Sequence, residues 1–228
     1  MPASTKIVGG NPAAIFPATE QIVDGAFGAA RVSARPLDHT SPYVVLGHYR
    51  WTGSTSAILA GANAILFSMR WSDAARLLVL ERLSASVTVV TAVTGQRTDP
   101  LVATIQRSYT ANETTLISTA AVPSRARATM NASSLVAQIG AATGAAGISG
   151  GTRTADAVPF STIPLQNVLG LGTGTSADDF IRYDNPVLSY PIVLGVNEGI
   201  TVAWGATALA TGTVEVNFAA TWAEVVQF

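Results

Sequence analysis

The sequence contains no cysteine, only one lysine, and few charged residues of any kind. Without cysteine the chain cannot form disulfide bridges, thiolate zinc sites or a thiol nucleophile. Charged residues make up 12% of its 228 positions, against about 25% in an average soluble domain. The basic residues number 13 and the acidic residues 14, so the net charge is −1. A chain so nearly neutral has no overall electrostatic attraction to nucleic acid or to an anionic membrane.

Long apolar runs are also missing from the sequence. The longest charge-free stretch, residues 128–152, is interrupted by asparagine, serine, glutamine and glycine, whereas a membrane-spanning helix needs about 20 predominantly apolar residues. Near the N-terminus, the apolar residues Ile7 and Val8 are followed at once by two glycines, which predicts no secretory signal. Without such a signal, the glycosylation patterns that begin at Asn112 and Asn131 carry no functional meaning.

What the chain does contain is enough apolar material for a large core. Hydrophobic residues make up 48% of the sequence, and the mean hydropathy is +0.36. Since so few charges are available to cover the surface, that surface must consist of neutral polar residues or be covered by other protein. We therefore predict an obligate component of an assembly. The alternative is a soluble monomer with a threonine-rich surface.

The first forty residues differ from the rest of the chain. Prolines at positions 2, 12, 17 and 36 interrupt short apolar pairs that follow no sustained period. Because proline removes a backbone donor and fixes φ, such a segment is more easily ordered on another surface than by a core of its own. We predict an extended N-terminal arm over residues 1–40 and one β domain over residues 41–228.

From Tyr43 onward, apolar residues alternate with polar ones in short runs that turn residues separate. This pattern predicts seven to nine strands and an all-β fold, a β-sandwich or jelly roll. The run over residues 72–83 is ambiguous, and its β-branched continuation favours a strand. We expect the runs that end at Trp51 and Trp71 to pair, and the runs on either side of residues 208–212 to form a hairpin. The positions expected to share one face of their own run are Tyr43, Val45, Tyr49 and Trp51; Ile65, Phe67, Met69 and Trp71; Leu77, Val79, Leu83, Ala85, Val87 and Val89; Leu101, Ala103, Ile105 and Tyr109; Leu135, Ala137 and Ile139; Ile200, Val202 and Trp204; Val214, Val216 and Phe218, with Trp222 and Val226 on a last strand.

Two glycine-rich segments resemble catalytic or phosphate-binding motifs. Residues 147–151 match the G-x-S-x-G nucleophile elbow around Ser149, but the only histidines, His39 and His48, precede it and no helical pattern follows. Residues 170–174 read Gly-Leu-Gly-Thr-Gly but open no helix. Both segments are expected to be loops, so we predict no catalytic residues and no cofactor.

Metal ligation has equally weak support in the sequence. His39 and His48 would need a carboxylate such as Asp38 to complete a site, and they are expected to form local hydrogen bonds instead. Asp178, Asp179 and Asp184 lack the spacing of a calcium loop, so a solvated acidic turn is expected there. We predict no metal site.

Arginine outnumbers lysine twelve to one. Pairs occur at Arg31 and Arg35 and at Arg125 and Arg127, and arginine is enriched at protein interfaces because its planar fork forms paired hydrogen bonds. A codon bias toward arginine is the alternative explanation. Basic residues do not interleave with aromatic ones on a common face, so nucleic-acid binding is not expected.

The C-terminal part of the chain resembles small virion structural proteins of tailed bacteriophages. The similar segment begins PIVLGVNEGITVAW and ends ATWAEVVQF, and the upstream segments RLLVLERLSASVTVVTAVTG, LVATIQRSYT and RATMNASSLVAQIG follow the same order of strands. The resemblance covers about residues 65–228. The positions that carry its C-terminal motifs are Asn197, Glu198, Gly199, Ile200, Trp222, Glu224 and Val225.

This resemblance implies a capsid decoration or cement protein without catalytic residues. Such a protein is made in the host cytoplasm, binds the major capsid protein on the outside of a phage head and stabilises it, often as a homotrimer. The arm would then help to tie the protein to the shell, and the loops at 147–151 and 170–175 would face a partner or solvent. Trp204 and Trp222 are expected in the core, and Glu198 is expected to cap a turn.

Two other classes of function stay open at this point. A receptor-binding or fibre-associated tail module would use exposed aromatic residues to hold a glycan, and Tyr183 and Tyr190 near Asp178 and Asp179 are the candidates. An enzyme would have to depend on His39 and His48. Neither alternative is favoured by the pattern of the sequence.

Overall fold

The fold is taken from a computed structural model, which describes residues 45–93, 99–118, 123–125, 130–141, 147–165, 176–184 and 191–226. At 45–46, 99–100, 163–165 and 176–184 only the backbone is described. The predicted arm over residues 1–40 and the predicted boundary at residue 41 lie outside this part of the chain. In the part that is described there is no helix long and apolar enough to cross a membrane.

The described residues form twelve β-strands and no helix, in two sheets. The strands are β1 (Val45–Ser54), β2 (Ile65–Trp71), β3 (Leu77–Thr91), β4 (Asp99–Ala111), β5 (Ser124–Arg125), β6 (Leu135–Ile139), β7 (Thr152–Ala155), β8 (Ser161–Leu165), β9 (Ser176–Asp184), β10 (Ile192–Leu194), β11 (Glu198–Trp204) and β12 (Thr213–Val225). Sheet A has the order β10-β3-β12-β1-β5, with β9 also paired to β3; sheet B has the order β6-β2-β11-β4-β7, with β8 also paired to β4. All of these pairings are antiparallel.

The two sheets pack face to face, and their inward side chains form one core. The all-β class and the β-sandwich expected from the alternation are therefore confirmed. Trp204 and Trp222 are fully buried, as expected, and so is Trp71. Within the core, the ring of Phe67 from sheet B stacks on Phe218 from sheet A, with centroids 5.1 Å apart. The expected face is correct for β6 and β11, because an uninterrupted strand keeps period two. In β2 it is correct from Phe67 onward but wrong at Ile65, which lines the outer face of sheet B, because Leu66 is an extra residue in β2 and points into the core.

The expected face of β3 is wrong at its beginning. Leu78 and Leu80 point into the core instead of Leu77 and Val79, whereas from Leu83 onward the expected residues face inward. Thr221 pairs with Arg82 and Trp222 pairs with Leu80, so Glu81 is an extra residue in β3. A β-bulge of this kind shifts the alternation by one position. Leu77 and Val79 consequently lie on the outer face of sheet A, in a small apolar cluster with Val193, Ala223 and Val225.

Both predicted strand pairings are wrong. β1 pairs with β12 in sheet A, and β2 pairs with β11 in sheet B, so they lie in different sheets. β11 and β12 also belong to different sheets, and the expected hairpin at residues 208–212 is a connection from one sheet to the other. Leu209 in this connection is buried. The alternation within a strand shows which residues face the core, but it does not identify the neighbouring strand.

Candidate functional site

One end of the sandwich holds a buried glutamate, Glu224. Its carboxylate lies 2.7 Å from the guanidinium of Arg76, and Arg76 also binds Asp73 at 2.6 Å. Ser134 donates a hydrogen bond to Asp73 at 3.1 Å. Burial raises the pKa of Glu224, and the nearby guanidinium partly offsets this effect. The cluster joins the loop after β2 to the end of β12.

An aromatic pair adjoins this cluster. The rings of Tyr49 and Trp222 are stacked with centroids 5.8 Å apart, and the Tyr49 hydroxyl donates to the carbonyl of Asn131 at 2.9 Å. Burial raises the pKa of Tyr49, and the negative charge of Glu224 adds to the shift. These groups close the end of the core, where the Tyr49 hydroxyl and one Glu224 oxygen bond to groups of the protein itself, whereas Trp222 Nε1 and Glu224 Oε1 are buried without a hydrogen-bond partner among the described residues.

A second buried carboxylate, Glu113, lies on the outer face of sheet B. It accepts hydrogen bonds from the Tyr109 hydroxyl at 2.7 Å and the Gly151 amide at 2.8 Å, and it forms an ion pair with Arg153. The Arg153 guanidinium also lies over the Tyr109 ring, 5.6 Å from its centroid. The side chain of Gln138 both donates to and accepts from the Glu113 backbone, at 2.8 Å in each case. Burial raises the pKa of Tyr109, so its phenol stays protonated.

This network corrects the expectation for residues 147–151. Gly147 and Ile148 are buried, and Ile148 donates its amide hydrogen to the Ile65 carbonyl at 2.8 Å. The carbonyl of Ser149 accepts from the backbone amides of Thr114 and Thr115. The segment is thus held on sheet B by backbone bonds, and the first half of it does not face solvent.

Glu198 has the turn-capping role predicted from the sequence. One of its carboxylate oxygens accepts from the Gly195 amide at 2.8 Å, across the turn that precedes β11. The other oxygen forms an ion pair with Arg107, which also binds Asp156 at 3.2 Å. The sequence did not indicate this second contact, because the three residues are far apart along the chain.

Of the two histidines, His48 lies in the described part of the chain, and it forms a contact with a residue far away in the sequence. Its Nδ1 donates to Glu81 Oε1 at 3.1 Å, which joins β1 to the bulge of β3 across the intervening strand β12. The residue of β12 opposite His48 is Ala223, whose small side chain leaves room for this contact. The hydrogen bond to Glu81 raises the pKa of His48.

The outer face of sheet A carries a depression of about 400 Å³ without charged lining residues. Its outward side chains form two rows across β1, β12 and β3, since residues paired in register lie side by side. All six are small and uncharged. The rows are Ser54, Asn217 and Ser86, and Thr52, Ala219 and Ser84. We call these six residues the neutral face.

The outer face of sheet B carries a second depression, of about 490 Å³. Thr104 and Thr201 are direct neighbours in register, and Gln106 donates a hydrogen bond to Thr201 at 2.7 Å. Arg153 and Asn63 lie at its margin, and the remaining lining is small or apolar. We call this site the sheet B depression. It is lined by Asn63, Ile65, Val102, Thr104, Gln106, Gly151, Arg153, Ala155, Thr201, Ala203 and Trp204.

Few of the candidate site residues from the sequence lie close together in the structure. Asp178, Asp179 and Asp184 lie in strand β9 rather than in the expected turn, and only their backbone is described, as for Tyr183. Arg125 lies on β5 and donates to the Met130 carbonyl at 2.9 Å. The other residues considered lie outside the described part: Arg31, Arg35, Asp38, His39, Arg127, residues 170–175 and Tyr190.

No three His, Asp or Glu side chains within the described ranges are grouped closely enough to hold a metal ion. The prediction of no metal, cofactor or catalytic site stays a prediction for the whole chain. Sequence reasoning missed both buried glutamates and both depressions. In the sequence, Glu113 stands out only as the middle residue of a glycosylation pattern, and its partner Arg153 follows 40 positions later.

The sequence matches no protein-family model, and neither a curated protein nor a solved structure matches the chain.

Proposed function

We propose that this chain is a non-enzymatic structural protein of a virion, of the capsid decoration or cement type. It binds the major capsid protein on the outside of a phage head as a homotrimer and stabilises the shell. The observation that carries the proposal is the neutral face on sheet A. Six small, uncharged side chains on three adjacent strands form a surface that brings no charged group of its own to another protein, while the carboxylate of Glu215 accepts a hydrogen bond from Ser54 at its margin.

The use of charge inside the domain supports the same proposal. Arg76, Arg107 and Arg153 form ion pairs with carboxylates of their own chain. A sequence with only 12% charged residues therefore has still fewer charges to keep its surfaces apart. A surface of this kind favours permanent association over a solvated monomer.

The order of the strands supports the jelly-roll form of the sandwich. Leaving out the edge strands β5 and β6, and counting β7 with β8 and β9 with β10 as one unit each, eight units remain. Sheet A contains β1, β12, β3 and β9/β10, and sheet B contains β2, β11, β4 and β7/β8. When these eight units are numbered in chain order, sheet A has the order 1-8-3-6 and sheet B the order 2-7-4-5. Successive units alternate between the two sheets, except that units 4 and 5 both lie in sheet B. Two interlocked Greek keys give this order, and viral capsid domains are among the proteins built on it. This support is by analogy of fold and identifies no site.

The motifs that carry the resemblance to phage virion proteins have structural roles here. Ile200 and Trp222 are fully buried, Glu198 caps a turn, and Glu224 forms a buried ion pair. Positions that determine how a fold closes are those expected to recur in a structural family without shared chemistry.

The oligomeric state is tested by the molar mass of the purified chain, measured by light scattering over a dilution series. We expect a mass near three times the 23.4 kDa of one chain, unchanged on dilution. A stable monomer would contradict the trimer and would make the neutral face an ordinary solvated surface.

Binding to the shell is tested by sedimenting the full chain with phage heads assembled in its absence. Ala219→Glu places a charge at the centre of the neutral face, and we expect it to weaken binding by more than about tenfold. Ala157→Glu is the matched control, because Ala157 is exposed and lies outside both depressions. Equal binding of the two variants, or no binding of the unmodified chain, would count against the proposal.

A further inference from the structure

The sheet B depression has the chemistry of a ligand site. It is concave, its volume of about 490 Å³ falls within the usual range of about 300–1,000 Å³ for small-molecule sites, and its polar groups converge from different strands. Gln106 and Thr201 are both buried to more than nine-tenths, at 3% and 4% exposed. Their mutual hydrogen bond fixes the positions of both side chains before any ligand arrives.

The types of polar group decide which ligands fit. Hydroxyls on Thr104 and Thr201 donate and accept, and the side-chain amides of Gln106 and Asn63 provide both an acceptor oxygen and donor hydrogens. Arg153 adds donors at the margin. The lining thus offers donors and acceptors close together, which suits a ligand whose own groups do both.

The charge balance argues against an anionic ligand. Arg153 is held in an ion pair with the buried carboxylate of Glu113, so the pair has no net charge. The other lining residues are uncharged. An anion would gain little Coulomb energy from a cation that is already paired.

The apolar part of the lining argues against a purely hydrophobic ligand. Val102, Ala155 and Ala203 provide only small side chains, Ile65 adds one larger aliphatic group, and the ring of Trp204 is fully buried. A ligand that has hydroxyl groups around a small apolar face would bury that face on Val102 and Ala203. Its hydroxyls would reach the row formed by Thr104, Thr201 and Gln106.

We propose that the sheet B depression binds a neutral saccharide unit. This site is distinct from the tyrosines and aspartates considered from the sequence, and it does not depend on the proposed role in a capsid. Binding at one shallow site of this size is expected in the millimolar range, since few groups are buried.

The test is a titration of the ¹⁵N-labelled full chain with lactose, maltose and N,N′-diacetylchitobiose, followed by NMR. We expect shifts of the Gln106 side-chain amide and of the Thr201 and Ala203 backbone amides with at least one of the three sugars. Ala203→Leu fills the depression and should weaken binding by more than about tenfold. Thr104→Val removes one hydroxyl without adding volume and should weaken it about threefold to tenfold.

The matched controls are Ala157→Leu and Thr154→Val, at exposed positions outside the depression. Both should bind as the unmodified chain does, and thermal unfolding of every variant checks that it is folded. If Ala203→Leu fails to fold, Thr104→Val decides the outcome alone. Absence of shifts with all three sugars, or shifts that survive both depression variants, would overturn the proposal.

A further comparison tests the claim of neutrality. Sialyllactose should bind no more tightly than lactose, and raising the salt concentration should leave lactose binding unchanged. A clear preference for the charged sugar that salt abolishes would show that Arg153 recognises an anion, and the assignment to a neutral ligand would be wrong.

Discussion

At the scale of single residues, the two buried glutamates have different surroundings. Glu113 accepts three hydrogen bonds, from Tyr109, Gly151 and Arg153. Glu224 depends on Arg76 as its cationic partner, and burial raises its pKa. Loss of Arg76 would leave the Glu224 carboxylate buried without an opposite charge, which is strongly destabilising.

Replacing Arg76 with methionine should therefore destabilise the protein. The change leaves Glu224 buried without a cation, and we expect a loss of about 3–5 kcal/mol in the free energy of unfolding, measured with urea. The double variant Arg76→Met/Glu224→Gln removes the charge as well and should recover most of the loss. The loss in the single variant should also shrink at low pH, because a protonated Glu224 needs no partner. An equal loss in the single and double variants would show that the unpaired charge of Glu224 is not the cause of the destabilisation.

The pair His48–Glu81 makes a pH-dependent contribution. Because the pKa of His48 is raised in the folded state, its contribution is fully present below the ordinary pKa of about 6.5 and is lost as the pH rises through the raised value. Glu81→Gln should lower the free energy of unfolding by at most about 1 kcal/mol below that pH, and by less above it, since both side chains are partly exposed. Urea unfolding of both proteins between pH 5 and 8 measures the difference. A difference that grows with pH would refute the assignment.

The sequence alone could not reveal these pairs. Glu81 lies 33 positions from His48, and 148 positions separate Arg76 from Glu224. A charge within an apolar run, such as Glu224 after Trp222, indicates at most that the residue is buried or lies at a strand end. The partner depends on which strands and loops meet in the fold, and single-residue properties do not encode that.

At the scale of the elements, small residues allow the close approach of other groups. A Cβ atom at Gly199 would lie 2.2 Å from the Met69 carbonyl and 2.7 Å from the Tyr109 ring. Gly199 therefore lets Tyr109 cover the outer face of sheet B, where its hydroxyl reaches Glu113. Tyr109 was expected on the same face of β4 as Leu101, but the backbone has a positive φ of 50° at Ser108 and the alternation ends there.

Gly199→Ala should displace Tyr109 and destabilise the protein by about 1–3 kcal/mol, the range for added volume in a packed site. Gly195→Ala is the matched control, because a Cβ there would meet its nearest atom at an ordinary 3.5 Å. Thermal unfolding of both variants measures the effect. Equal midpoints for the two variants would show that the sheet accommodates the methyl group.

Strands were the most predictable elements. An uninterrupted alternation predicted the buried faces of β6, β11 and the part of β2 from Phe67 onward correctly, since the period of two follows from the geometry of a strand. The errors occur where this period is broken, at Leu66 in β2, at Glu81 in β3 and at Ser108 in β4. An extra residue in one strand has no sequence signal of its own, because any residue can occupy it.

At the scale of the whole molecule, the sandwich could be predicted but the strand order could not. The alternation predicted strands with one buried face each, and the turn residues predicted where these short strands end. The expected pairings between β1 and β2 and between β11 and β12 failed because consecutive strands were assumed to be neighbours. In this fold those strands lie in opposite sheets, so the connections between them pass from one sheet to the other. The two depressions could not be predicted for the same reason, because each of them forms only where strands distant in the sequence lie side by side.

The central strands of the two sheets are β11 and β12, and they are also the last strands in the described part of the chain. During synthesis on the ribosome, β1 and β3 emerge long before β12, which must lie between them, and β2 and β4 wait in the same way for β11. The nascent chain therefore cannot complete sheet B before β11 has left the ribosome, or sheet A before β12 has, and its apolar faces stay exposed to chaperones and to aggregation in the meantime. Ribosome-bound chains that stop before residue 198 should be digested by protease as fully as an unfolded chain, and resistance should appear in one step once β12 has left the ribosome. A protease-resistant core in the shorter chains would contradict this order of events.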